Sequence, residues 1–150
     1  MGREHRHGAA VEPGAADLQT LHRIEQRVLW LATRMIDHAN RERPHGDELN
    51  VGGHQASSAS LVSLMTALYF SDLRGEDLVA VKPHASPALH AIEYLLGRLD
   101  RSYLTRLREL GGLQSYPSRT KDVFRVDYST GSVGIGSAAP LFGALANRYV

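Results

Sequence analysis

Cysteine is absent from this sequence of 150 residues. Disulfide bonds, thiolate metal sites and a cysteine nucleophile are therefore excluded, and we expect a reducing, cytoplasmic location. Long apolar runs are absent too: none reaches the roughly 20 residues that cross a bilayer, so we expect no membrane contact.

The sequence also lacks an excess of either positive or negative charge. Seventeen basic and sixteen acidic residues give a net charge of +1, and they form no long block, which argues against a nucleic-acid partner. The length suits one domain at most, and 43% hydrophobic residues are typical of a globular chain. Residues 1–16 are polar and lack the apolar stretch of a signal peptide, so we predict a disordered tail there.

Helical periodicity predicts two helices in the first half of the chain. Asp17 can cap the first, which runs to about Asn40, and the second covers residues 58–70. The apolar stripe of the first helix consists of Leu21, Ile24, Val28, Leu31 and Met35. The corresponding face of the second consists of Leu61, Leu64, Met65 and Leu68.

The second half begins with a short apolar run, residues 78–81, which predicts a strand buried on both faces, as in a parallel sheet. Ser86 and Pro87 predict the start of a helix that runs to about Leu99. Asp100 caps another that ends near Gly111, and a last helix follows a glycine-rich turn. A short strand is predicted at residues 123–126.

This order predicts an α/β fold: part of a parallel-sheet domain with helices on both faces, helix-rich in this portion. Only one strand is well defined by the pattern, and one strand cannot form a sheet. We therefore expect the chain to be incomplete or to need a partner.

The first candidate site is the segment Gly52-Gly53-His54-Gln55-Ala56-Ser57. Two glycines permit a tight turn, and His54 and Ser57 then lie at a helix entrance, where free N–H groups favour an anion. An ordinary loop with a solvent-facing capping residue explains the pattern equally well.

The second candidate is His84, which lies between the predicted strand and the following helix. Ligands bind at the carboxyl ends of strands in open α/β sheets, where a histidine can bind phosphate or carry a proton. Local backbone groups that satisfy the ring are the alternative. His90 is expected to be a structural histidine of the next helix.

The third candidate is the glycine-rich turn at residues 131–136. Its spacing fits neither a dinucleotide-binding fingerprint nor a P-loop. Such a turn can bring bare backbone against a flat ring or a phosphate, although close helix–strand packing is the alternative. No zinc-ligand spacing is present, so we assign no metal ligands within the chain.

Taken together and in order, GGHQAS, HASPALHAIEYLLGRL, GGLQSYPS and TGSVGIG resemble the homodimeric pyruvate dehydrogenase decarboxylating subunits. These belong to the transketolase-like family of thiamine diphosphate enzymes. The first and last segments suit transketolase as well, whereas the other two favour the pyruvate dehydrogenase branch. The resemblance implies that residues 17–150 are the N-terminal portion of a thiamine diphosphate-binding domain, which is incomplete here.

The resemblance also implies roles for single residues. His54 matches a histidine that faces cofactor and substrate, and His84 matches a second active-site histidine. The cofactor-binding residues implied in the same way are Ser57, Tyr116, Gly131, Val133 and Gly134. The motif that holds magnesium and the glutamate that activates the cofactor are missing, so we expect both outside this chain. The 150 residues alone are then expected to be inactive.

The implied reaction is decarboxylation of a 2-oxo acid, with transfer of the two-carbon unit to a lipoyl-bearing acyltransferase or another acceptor. A homodimer, or a partner that supplies the missing C-terminal region, is implied as well. Ketol transfer of the transketolase type and a catalytically incomplete assembly module remain alternatives; a nucleotide-binding domain is a weaker one. The chain departs from the family pattern at Lys82-Pro83, where Gln-Gly is usual, and at Val133, where methionine is more usual.

Overall fold

The computed structural model describes residues 18–44 and 51–149. The predicted tail at residues 1–16 and the Asp17 cap lie outside these residues. Five α-helices follow one another along the described chain: α1 (Leu18–Asp37), α2 (Gln55–Ala59), α3 (Val62–Ala67), α4 (Ser86–Leu95) and α5 (Ile135–Ala146). Short π-helical turns, His38–Glu42 and Leu68–Asp72, extend α1 and α3, and 3-10 turns occupy Pro83–Ala85 and Arg101–Thr105.

Helix α4 is the centre of the core. All of its residues from Ser86 to Glu93 are buried, and α1, α2 and α3 pack around it. A helix that is enclosed on all sides must be mostly apolar, and α4 is. The predicted stripe of α1 supplies the facing surface, since Val28, Leu31 and Met35 are buried against the same cluster.

His90 on α4 is a buried core histidine, in line with the structural role expected for it. Its ring Nε2–H donates to the Gln114 carbonyl at 3.1 Å, and its face meets the ring of Phe124 edge-on at 5.6 Å. Burial lowers the pKa of His90 to about 4, because the charged form would lose its hydration.

The prediction of one continuous helix over residues 58–70 is wrong. The helix is interrupted between α2 and α3 at Leu61, whose backbone lies at φ −113° and ψ 0°. The break changes the phase of the apolar face. Met65 is buried as predicted, together with Val62, which was not predicted, whereas Leu64, predicted to share the face of Met65, is 65% exposed.

The start of α4 also differs from the prediction that Ser86 caps it. The Ser86 hydroxyl donates to the Pro83 carbonyl at 2.7 Å, and the free N–H of Ala88 donates instead to the Ser58 hydroxyl at 3.1 Å. Ser58 is completely buried, so one helix is capped by a side chain from another. The far end stops at Leu95 rather than Leu99, since Gly97 turns into the left-handed region at φ +74°.

No β-strand is present among residues 18–44 and 51–149, so the strands predicted at residues 78–81 and 123–126 are not formed there. The Val79 N–H donates to the Asp127 carboxylate at 3.0 Å rather than to a neighbouring strand. A strand needs a second one to exchange hydrogen bonds with, and these residues provide none. The helix-rich character is confirmed; the sheet is not.

Two predictions in the last third have different outcomes. The Asp100 carboxylate does accept the Ser102 N–H at 2.8 Å, but it caps only the 3-10 turn Arg101–Thr105, not a helix that reaches Gly111. Helix α5 forms after the glycine turn, as predicted. It contains no buried residue, and Phe142 is 67% exposed.

The Gly52-Gly53 turn is held by Asn40. The Gly52 N–H donates to the Asn40 side-chain oxygen at 2.6 Å, and the Asn40 amide donates to the Gly53 carbonyl at 3.1 Å. Gly53 has a φ of +85°, and a Cβ at Gly52 would lie 2.6 Å from the Ile36 carbonyl oxygen. Both glycines are therefore required, one for its dihedral angle and one for its closeness to α1.

Within the described part of the chain, no helix combines the length and the apolarity that crossing a bilayer would demand.

We predict that Gly52→Ala destabilises the fold by roughly 1–3 kcal/mol, because the added methyl meets a backbone carbonyl that cannot move aside easily. Gly75→Ala is the matched control, since a Cβ there meets nothing within 4 Å, and its effect should stay within about 0.5 kcal/mol. Urea unfolding measures both changes. Equal effects of the two substitutions would contradict the tight approach at Gly52.

We also predict that His90 makes stability depend on pH. The unfolded chain takes up a proton near pH 6.5, whereas folded His90 stays neutral down to about pH 4. Stability is therefore lost as pH falls from 6.5 towards 4, by about 2 kcal/mol between pH 7 and pH 5. The free energy of unfolding of His90→Gln should lack this slope, and an unchanged slope in the variant would assign the dependence to other groups.

Candidate functional site

Two of the predicted segments face each other across an open cleft of about 400 Å³. One wall is the loop that carries His84, and the other is the glycine turn with the first turn of α5. The residues that line the cleft are Ala80, Val81, Lys82, Pro83, His84, Gly131, Ser132, Gly134, Gly136 and Ser137. His84 is thus brought together with Gly131 and Gly134, although about fifty residues separate them in sequence.

The 3-10 turn Pro83–Ala85 positions His84. The Ala85 N–H closes this turn on the Lys82 carbonyl at 3.0 Å, which leaves the His84 side chain exposed. The Tyr116 ring stands edge-on to the His84 ring, with centroids 5.4 Å apart and an angle of 72° between the planes. Tyr116 and His84, predicted from separate segments, are therefore in contact.

The glycine turn is fixed by its neighbours. Gly134 adopts φ +89°, a left-handed conformation that strains any residue with a side chain, directly before α5. A Cβ at Gly136 would lie 3.2 Å from the Thr130 methyl, so close packing, the alternative raised for this turn, explains that position. The Thr130 N–H donates to the Pro117 carbonyl at 3.0 Å, which ties the turn to the Tyr116 segment. Val133 is 81% exposed.

His54 lies apart from this cleft. It is exposed directly before α2, its side chain caps no N–H, and it lines a separate shallow depression of about 340 Å³ beside Asp37 and Arg41. Ser57 is half-buried and lies nearer the cleft, because its carbonyl contacts the Lys82 ammonium at 3.4 Å. The described residues therefore place the two predicted active-site histidines in different depressions.

Two supporting residues had no signal in the sequence. The Arg108 guanidinium donates to the Val51 carbonyl at 2.9 Å and covers Gly53, although Arg108 lies more than fifty residues away. Asn40 holds the same turn from α1. Only the folded chain brings these residues to the histidine segment.

The charge of the cleft sets it apart from a neighbouring cavity. Of the residues that the structure describes, no carboxylate lines the cleft, and Lys82 is the one fully charged side chain that does. On the other side of Val81, a cavity of about 440 Å³ mixes arginines with acidic residues, including the buried Glu93. Burial raises the pKa of Glu93, although Arg98, 3.4 Å away, opposes the shift. The cleft is therefore the better place for an anion.

Among the residues that the structure describes, no three potential metal-ligating side chains lie together. The donors at the cleft are an ammonium, an imidazole and the serines Ser132 and Ser137. This donor set fits a phosphate-bearing organic ligand, and the glycine backbone leaves room for a flat ring.

Comparison with known proteins gives a consistent result, although no protein-family model matches the chain. The pyruvate dehydrogenase E1 component of Pseudomonas aeruginosa is 32% identical over 143 residues, which cover 89% of this chain and 16% of the relative. The E1 component of Mycobacterium tuberculosis is 30% identical over 149 residues, and that of Escherichia coli K12 is 28% identical over 147. Each of these two alignments covers 92% of this chain.

The chain spans about one sixth of the length of these curated relatives. The resemblance predicted from the four motif segments is confirmed. This chain is similar to the N-terminal part of the pyruvate dehydrogenase E1 component.

Proposed function

We propose that residues 17–150 form the N-terminal portion of a thiamine diphosphate-binding domain in an enzyme like the pyruvate dehydrogenase E1 component. The cleft carries this proposal, because it joins the His84 loop to the glycine turn and is lined by no carboxylate from the described part of the chain. The relationship to E1 components over about nine tenths of the chain supports the same function.

The described residues fit the two ends of this cofactor. Lys82, His84 and the serines of the cleft suit a diphosphate, and Gly131 and Gly134 offer backbone to the flat aminopyrimidine ring. Val133 lies in the same turn but does not line the cleft, so its proposed contact rests on the resemblance. When bound, thiamine diphosphate supplies the nucleophilic carbon that a 2-oxo acid needs for decarboxylation. Magnesium belongs to the same proposal, with its ligands and the activating glutamate contributed from outside this chain.

The roles of the chain's own residues follow from their positions. The Tyr116 ring restricts the orientation of the His84 ring, so that the imidazole can donate or accept a proton at the mouth of the cleft. Ser57 lies beside Lys82 and would approach the diphosphate from the α2 side. His54 would serve substrate and cofactor from the neighbouring depression.

The proposal includes partners. The exposed apolar surface of α5 and the unpaired residues 78–81 support packing against a further polypeptide, either the remainder of an E1-like protein or a second subunit of a homodimer. The expected substrate is a 2-oxo acid, the expected acceptor is the lipoyl group of an acyltransferase, and the expected location is the cytoplasm. Without such packing we expect the 150 residues to bind cofactor at best weakly and to be inactive.

We predict measurable binding of thiamine diphosphate with magnesium to the chain by isothermal titration calorimetry, and a weaker interaction with His84→Ala. His22→Ala is the control, because His22 is an exposed residue of α1 that does not line the cleft. Equal affinities for the two variants would remove His84 from the cofactor site. Absence of binding in the folded wild-type chain would favour the alternative of a catalytically incomplete assembly module.

We predict further that the chain supports catalysis when it replaces the matching segment of the Pseudomonas aeruginosa relative. The chimera should release carbon dioxide from a 2-oxo acid in a thiamine diphosphate-dependent manner. His84→Ala should lower kcat by about a hundredfold or more, and His22→Ala should not. A folded chimera that uses only sugar phosphates would favour ketol transfer. A folded chimera that is inactive on both 2-oxo acids and sugar phosphates would contradict an enzymatic role.

A further inference from the structure

Lys82 is the residue at the cleft that departs from the pattern of the resembling family, and its surroundings are unusual. It is exposed and lines the cleft, and its ammonium contacts the Ser57 carbonyl at 3.4 Å and the Ser60 hydroxyl at 3.5 Å. Both distances are long for hydrogen bonds, and neither partner is charged. The ammonium therefore has weak partners and keeps the capacity to donate to a ligand.

The residue after Lys82 changes what the loop backbone can do. Pro83 has no N–H, so the backbone at this position offers no donor to an anion. The Lys82 side chain, with three donors on a flexible stem, makes up for that loss. Proline also fixes the backbone at the start of the 3-10 turn, which holds the base of the lysine side chain at the rim of the cleft.

The electrostatics of the cleft favour an anion with several charges. Among residues 18–44 and 51–149, no carboxylate lines it to neutralise Lys82, and His84 lies on the same wall. A compact ammonium is a common phosphate partner, whereas a planar carboxylate is better matched by the paired donors of arginine. No arginine lines the cleft.

We propose that Lys82 holds the phosphate end of the ligand in this cleft. Its positive charge makes a contact that the usual Gln-Gly pair cannot make. The inference rests on the proposed thiamine diphosphate site and deepens it by assigning its anion-binding residue. Lys82 is then a binding residue that acts on affinity for the phosphorylated form of the ligand.

The test compares Lys82→Gln with Lys121→Gln in the full chain. These are the two lysines of the sequence, so both substitutions remove one positive charge, but Lys121 is exposed in a loop and does not line the cleft. Affinities for inorganic diphosphate, thiamine diphosphate, thiamine and pyruvate are measured by calorimetry, with circular dichroism to check folding. Lys82→Arg, which keeps the charge, is the conservative variant.

We expect Lys82→Gln to weaken the binding of inorganic diphosphate and of thiamine diphosphate about tenfold, and to leave the affinity for thiamine unchanged. Lys82→Arg should restore most of the affinity, and Lys121→Gln should match the wild type. The wild-type affinity for diphosphate should also fall with added salt, and the Lys82→Gln affinity should fall less.

Several results would overturn the inference. Equal losses of affinity for thiamine and for thiamine diphosphate would indicate a structural role of Lys82. Equal losses of affinity in Lys82→Gln and Lys121→Gln would indicate an effect of the overall charge of the chain. A loss confined to pyruvate would assign Lys82 to a carboxylate. If the wild type binds thiamine diphosphate and Lys82→Gln binds it equally well, only the inference fails. If the folded wild type binds no diphosphate compound, the proposed cofactor site fails with it.

Discussion

The hydrogen bond from the Ala88 N–H to the buried Ser58 hydroxyl joins the two segments on which the rest of the structure depends. It satisfies a free N–H at the start of α4, and it fixes α2 against the central helix of the core. Because an unpaired buried donor costs free energy, the bond sets how α2 and α4 lie relative to each other. The His84 turn directly precedes α4 and the His54 segment directly precedes α2, so both inherit their positions from this contact.

The cleft follows from that arrangement. The His84 turn forms one wall, and the glycine turn forms the other. The hydrogen bond from Thr130 to Pro117 holds the glycine turn to the Tyr116 segment, which positions it. Each wall is fixed by backbone geometry: a 3-10 turn that begins with Pro83, and a left-handed Gly134 before α5. Lys82 is the exposed, flexible element between them, and it is also where the chain departs from the resembling family. Affinity for a charged ligand can therefore vary here without disturbing the core.

Under the proposed function, two features of the described chain are the places where other parts of an E1-like protein would pack. Helix α5 is apolar but buries no residue within the described chain, and residues 78–81 make no strand pairing. The same pattern that predicted a buried strand thus describes a segment with a suitable sequence but no paired strand among the described residues. A sheet is a property of several segments, so its absence here does not contradict the local sequence signal.

The sequence by itself determined the helices whose apolar periodicity is long and regular, α1 above all, and the positions that require glycine, such as Gly53 and Gly134. It also determined the resemblance to pyruvate dehydrogenase E1 components, because four weak motifs occur in one order. Only the tertiary structure decided that α2 and α3 are separate, that Ser58 rather than Ser86 caps α4, and that His84 meets Tyr116 while His54 does not share their cleft. The physical reason is the distance along the sequence over which each kind of interaction acts. Periodicity and turn chemistry act over a few residues, whereas the α4 cap and the ring contacts join groups 30 to 34 residues apart, which only the packing around α4 brings together.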